Sequence, residues 1–124
     1  MREESKEWLR KAQEDYETAA YLLKGNKHHG AAFFSQQAAE KALKAIQIEK
    51  LGRFDRSHDL VLLASSVGAP KKIIEVCAKL SPHYVSTRYP DVQEIHSQEL
   101  TKNLLVCSKE VVEWALPILN SKKS

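Results

Sequence analysis

Residues 31–50 read AAFFSQQAAEKALKAIQIEK, and this stretch decides the fold. It contains neither Gly nor Pro and is dense in strong helix formers, so the spacing predicts a helix from Gly30 to Lys50. Ala31, Phe34, Ala38, Ala42, Ala45 and Glu49 recur at three- and four-residue steps along one stripe. Phe33, Gln37, Glu40 and Lys44 form the adjoining one. The small side chains of the first stripe let a neighbouring helix approach closely. Beside it runs a polar row, Gln36, Gln37, Glu40, Lys41 and Lys44, which is either solvated or used. The stretch reads as the central helix of a bundle.

Outward from this helix the rest of the chain is also helical. Between Glu4 and Lys24 the apolar positions Trp8, Leu9, Ala12, Tyr16, Ala19, Ala20 and Leu23 describe an amphipathic helix. Ser5 is a candidate cap, and Gly25-Asn26 ends the helix with residues that tolerate a left-handed backbone. The turn to the central helix is short, so the first two helices are expected to be antiparallel neighbours. Downstream, the central helix stops near Leu51-Gly52 and residues 53–57 make a polar connection. Ser57 or Asp59 starts a short helix, Leu60 to Val67, closed by Gly68. Pro70 opens another, with Ile73, Ile74, Cys77, Leu80 and Tyr84 on its buried face and Pro82 breaking it after Leu80. Tyr89-Pro90-Asp91 is a further break. Ser97 then caps a last helix whose Leu100, Leu104, Cys107, Val111, Trp114 and Ile118 form a bundle seam. Pro117 is expected to bend or end it, leaving a tail at 120–124. No stretch alternates as a strand. The expected architecture is all-α: an up-and-down bundle of four long helices plus one short helix, in one domain over residues 1–124.

With 124 residues, 43% hydrophobic and 28% charged, the chain has the composition of a globular domain large enough to fold without staples. A net charge of +3 permits an anionic partner without demanding one. Cys77 and Cys107 lie in apolar helical patterns without CxxC spacing and read as buried thiols of a reducing compartment. No apolar run is long enough to span a membrane, and the charged N-terminus lacks a secretory signal, so a cytoplasmic location is expected. Walker A, GxGxxG and HExxH motifs are absent. None of the five histidines pairs at four-residue spacing with another His or Cys, and neither a metal nor a cofactor is expected.

Two clusters carry chemistry. Arg53-Phe-Asp-Arg56-Ser-His58-Asp59, with Lys44 and Lys50 upstream, gathers positive charge beside an imidazole. It can hold a phosphate; alternatively, His58 and Asp59 cap the short helix while the arginines are solvated. His83-Tyr84-Val-Ser86-Thr87-Arg88-Tyr89-Pro90-Asp91 places an arginine between two aromatics. Arg forks onto phosphate and Tyr stacks on a base; alternatively, Arg88 pairs with Asp91 and the tyrosines are core. Taken with the polar row, these clusters nominate Lys41, Lys44, Arg53, His58, Tyr84, Arg88 and Tyr89 as nucleotide- or phosphate-binding residues.

Three pieces, AAFFSQQAAEKALKA at 31–45, SHDL at 57–60 and TRYPD at 87–91, in this order and spacing, resemble the HEPN family of small helical domains. The resemblance covers nearly the whole chain. It implies a bundle of four long helices plus a short one, commonly as a homodimer. It also implies a stand-alone prokaryotic member that partners a minimal nucleotidyltransferase in a two-component, toxin–antitoxin-like system. Some HEPN proteins are metal-independent ribonucleases and others look like nucleotide-binding subunits. The ribonucleases carry Arg, four to six residues, then His near the start of the last helix. Here seven residues separate Arg88 from His96; Arg53-x4-His58 has the spacing but lies in the earlier connection. The expectation is therefore a subunit that binds a nucleotide or RNA phosphate. The alternatives are a ribonuclease using Arg88 and His96, or Arg53 and His58, and a scaffold that binds no ligand.

Overall fold

The structure is a computed structural model and describes residues 1–82 and 97–120. Among these residues five helices follow one another: α1 (Glu3–Lys24), α2 (His28–Leu51), α3 (Leu60–Ser66), α4 (Lys71–Leu80) and α5 (Gln98–Leu119). The fold is an all-α bundle, as the sequence implies. Three helices are long, α4 has ten residues and α3 has seven.

Local chemistry sets most of the boundaries. Glu3 and Glu4 in the first turn of α1 and Lys24 in the last complement the helix dipole. Gly52 closes α2 with φ +76°, its N–H donating to the Ile48 carbonyl at 3.0 Å. Asp59 caps α3 by accepting from the Val61 and Leu62 N–H groups at 3.0 and 3.3 Å. Ser97 caps α5 through the Leu100 N–H at 3.1 Å. Two expectations are corrected. Arg2, not Ser5, occupies the cap position of α1, and Ser5 is buried inside the helix. α5 also runs through Pro117 to Leu119, since a proline in the last turn removes one hydrogen bond where few remain.

α2 is the axis. It packs along α1, against α5 and against the α3–α4 pair, and α1 and α4 also touch α5. The antiparallel α1–α2 pairing shows in its cross-links, from Arg2 to Glu49 at one end and Asp15 to Lys41 nearer the other. Ala31, Ala38, Ala42 and Ala45 of the small-residue stripe are fully buried, as are Ala32 and Ala39 beside them. Leu43 and Ile46 fill the remaining space against Leu60, Leu63, Leu80, Val111 and Leu119. A helix with partners on several sides is buried nearly all round, so α2 carries little amphipathic signal. Among the described residues no helix is long and apolar enough to cross a membrane. Cys77 and Cys107 are both buried free thiols.

Candidate functional site

The polar row of α2 is not a wet face. Gln36, Glu40 and Lys44 are at most 4% exposed. A carboxylate and an ammonium are that deeply buried only when paired, and one residue, Glu40, satisfies most of the cluster. Its carboxylate accepts from the Lys44 ammonium at 2.8 Å, one helical turn along, and from the Gln36 and Gln37 amides at 3.2 and 3.5 Å. The His58 Nδ1 lies 3.0 Å from one carboxylate oxygen and 3.2 Å from the other. The Gln36 amide also donates to the His58 carbonyl at 3.4 Å, fixing the backbone as well as the ring.

Aromatic rings close the other side of Lys44. Its ammonium stands 5.8 Å from the Trp8 ring centre and 5.6 Å from that of Phe54, within cation–π range. The two rings pack on each other at 4.8 Å with a tilt of 56°. Phe54 thus anchors the polar connection to the bundle. Gln47, fully buried, holds the next residue: its amide donates to the Asp55 carboxylate at 3.1 Å and to the Ser66 hydroxyl at 2.9 Å, while its carbonyl accepts from the Asp55 N–H at 3.0 Å. Residues 53–59 are therefore pinned at Phe54, Asp55, His58 and Asp59. Arg53 and Arg56 stay exposed. Arg53 pairs with Asp55 at 3.1 Å, and Arg56 has no ion-pair partner among the described residues.

Of the nominated residues, the structure brings Lys44 and His58 together on Glu40. It places Lys41 apart, in an ion pair with Asp15 of α1. Lys44 is spent inside the protein and offers no exposed charge to a ligand. His58 does offer a surface: its side chain is 46% exposed, with its Nδ1 fixed against a carboxylate. Such an imidazole can donate to an anion or act as an acid–base group. Tyr84, Arg88, Tyr89 and His96 lie outside the described residues. The end of α4 is tied to this connection, because the Ser81 hydroxyl accepts from the Leu60 N–H at 3.0 Å.

Burial pushes the Cys77 thiol up to about 12 and raises Cys107 as well, so neither serves as a nucleophile at neutral pH. Among the described residues no group of three or more His, Cys, Asp and Glu side chains could hold a metal ion. Sequence reasoning does not pick out Glu40 as the hub, nor Trp8, Gln47 and Phe54. The available signals are the four-residue spacing from Glu40 to Lys44 and an aromatic inside an otherwise polar connection.

The HEPN domain model matches residues 5–119, and the chain belongs to the HEPN family. A Methanocaldococcus jannaschii protein named "Putative toxin MJ1304" is 33% identical over 90% of this chain and 78% of its own length. The crystal structure of an archaeal HEPN homologue, ST0689, superposes with a TM-score of 0.81 at 26% identity, covering 97% of this chain and all of that one. TT1696 from Thermus thermophilus has the same fold, with a TM-score of 0.85 at 23% identity over 93% of this chain and 98% of that one.

Proposed function

We propose that this chain is a phosphate-recognising HEPN subunit of a toxin–antitoxin-like pair, acting as a homodimer on a nucleotide or RNA with a nucleotidyltransferase as its partner. One observation carries the reading: an imidazole fixed by a buried carboxylate sits on a pinned connection between two exposed arginines and a helix start. Arg56 and His58 supply the donors, and Arg88 and Tyr89 add a phosphate fork and a stacking ring. Family membership and the toxin-named relative support the two-component setting.

The test is binding of nucleotides and short RNAs, followed by thermal shift at two salt concentrations. A ligand that binds only the folded state raises the melting temperature. His58→Ala and Arg88→Ala are expected to abolish the shift while retaining helical circular dichroism. Unchanged affinity in both variants would refute the site. Light scattering tests the dimer, and co-purification with a co-expressed nucleotidyltransferase tests the partner.

The Glu40–His58 contact favours a second reading, metal-independent RNA cleavage. There His58 takes the proton of a ribose 2′-hydroxyl, the oxygen attacks the adjacent phosphorus to form a 2′,3′-cyclic phosphate, and the bond to the 5′-oxygen breaks as His58 returns the proton to it. Arg53 or Arg88 would steady the phosphate. Cleavage in EDTA that disappears in His58→Ala would support it; no cleavage above background would exclude it.

A further inference from the structure

The Glu40 carboxylate is surrounded by donors. The Lys44 ammonium lies 2.8 Å from Oε2, and the Gln36 amide nitrogen 3.2 Å from Oε1. The Gln36 amide is oriented from both ends. Its nitrogen faces two groups that can only accept, Glu40 and the His58 carbonyl, while its oxygen accepts from Gln37 at 2.8 Å. His58 Nδ1 meets both carboxylate oxygens, at 3.0 and 3.2 Å. With the imidazole neutral, that contact has two chemical forms. Either Nδ1–H donates to a carboxylate, or a protonated Glu40 donates to a bare Nδ1. The second form sets the buried Lys44 ammonium, closed over by Trp8 and Phe54, against a neutral acid. A buried charge without its counterion is costly. The first form keeps the ion pair whole and gives Nδ1 an acceptor.

We infer that Glu40 is a positioning residue: it holds His58 in the Nδ1–H tautomer and so assigns Nε2, on the other edge of the half-exposed ring, to the ligand. The inference rests on the phosphate-recognition reading of the His58 site and deepens it by naming the nitrogen that works. Neutral, Nε2 accepts a hydrogen from a hydroxyl such as a ribose 2′-OH; protonated, it donates to a phosphate oxygen. One amide, Gln36, ties both the His58 backbone and Glu40, so the ring and its partner are held as a unit.

Two-bond proton–nitrogen NMR of the isotope-labelled chain reads the tautomer directly, and His58→Gln, which lacks the ring, assigns the signals. In the wild type the neutral ring is expected as Nδ1–H, outweighing the other tautomer by more than about tenfold, the ratio set by one charge-assisted hydrogen bond. In Glu40→Gln the single side-chain oxygen goes to Lys44 and the amide N–H turns to the ring. Nδ1 then becomes an acceptor, and the tautomer is expected to switch to Nε2–H. The wild-type spectrum decides even if Glu40→Gln unfolds: Nε2–H there, or an even mixture, overturns the inference. An unchanged Nδ1–H form in a folded Glu40→Gln overturns it too. Titration with a six-nucleotide single-stranded RNA should move the Nε2 resonance and leave Nδ1 nearly in place; the reverse also overturns it. Nε2–H in the wild type beside an RNA-induced rise in melting temperature removes the inference and leaves the phosphate reading standing. Nδ1–H without any thermal shift upholds the tautomer and removes that reading.

Discussion

Removing the Lys44 ammonium isolates the energetics of the buried cluster. Lys44→Met keeps the volume of the stem and deletes the charge, leaving the Glu40 carboxylate at the same depth, where both partners' side chains are about 5% exposed. Breaking one partner of such a pair typically costs 3–5 kcal/mol, because the survivor is a buried charge without its counterion. Glu40 would still accept from Gln36, Gln37 and His58, which places the loss at the lower end, about 3 kcal/mol. At about 2.1 cal/mol/K per residue, 124 residues carry a melting entropy near 0.26 kcal/mol/K, and the melting temperature should fall by roughly 12 °C. Glu40→Gln should cost a similar amount by stranding Lys44. The double variant has no buried charge left and should lose about 2 kcal/mol, far less than the sum of the singles. Calorimetry of the four proteins completes the cycle. Additive losses, or a Lys44→Met penalty below about 1 kcal/mol, the range of exposed pairs, would refute the view that this pair is buried and interdependent.

Asp59→Ala removes the cap of α3 and should cost about 1 kcal/mol by denaturant unfolding, with Asp59→Asn recovering most of it. Gly52→Ala and Gly68→Ala place a side chain at φ +76° and +74° and should each lose about 1 kcal/mol, whereas Gly25→Ala, at φ −87°, should be nearly neutral. The raised Cys77 thiol predicts slow alkylation by iodoacetamide at pH 8 in the native protein and rapid alkylation in denaturant, read by mass spectrometry. Because the folded value lies above the ordinary 9.0, this thiol's contribution to stability is intact below pH 9 and is lost as the pH rises toward 12, where the unfolded chain has already released its proton.

Local signals are legible in the sequence, and signals that need two elements are not. Asp59, Gly52, Gly68 and Ser97 act within one turn of themselves, so their roles follow from their neighbours in the chain. The polar row of α2 is legible as a row, yet its burial depends on Trp8 of α1 and on Phe54 and His58 of the connection, none of which the helix's own periodicity locates. Lys41 and Lys44 look alike as cations near a site. Only tertiary placement shows one clamped to Asp15 and the other sealed under two rings. Ser5 passes for a cap because serine suits both a helix start and a tightly packed helix interface. Pro117 passes for a helix breaker because a proline's cost depends on how much helix remains to be broken.

Ten alanines are buried in the bundle, six of them on α2. An alanine scan, the usual way to map a core, returns nothing at those positions, because the wild-type residue is already the probe. The surface on which α1, α3, α4 and α5 are assembled is therefore silent to the method most often used to find it. Its importance emerges only on enlargement: replacing a fully buried alanine with valine or leucine forces packed backbones apart at about 1–3 kcal/mol per site, while glycine costs about 1 kcal/mol through the helix itself. Every change open to such a position is uphill, so a comprehensive substitution map of this protein should show intolerance even where its side chains are smallest.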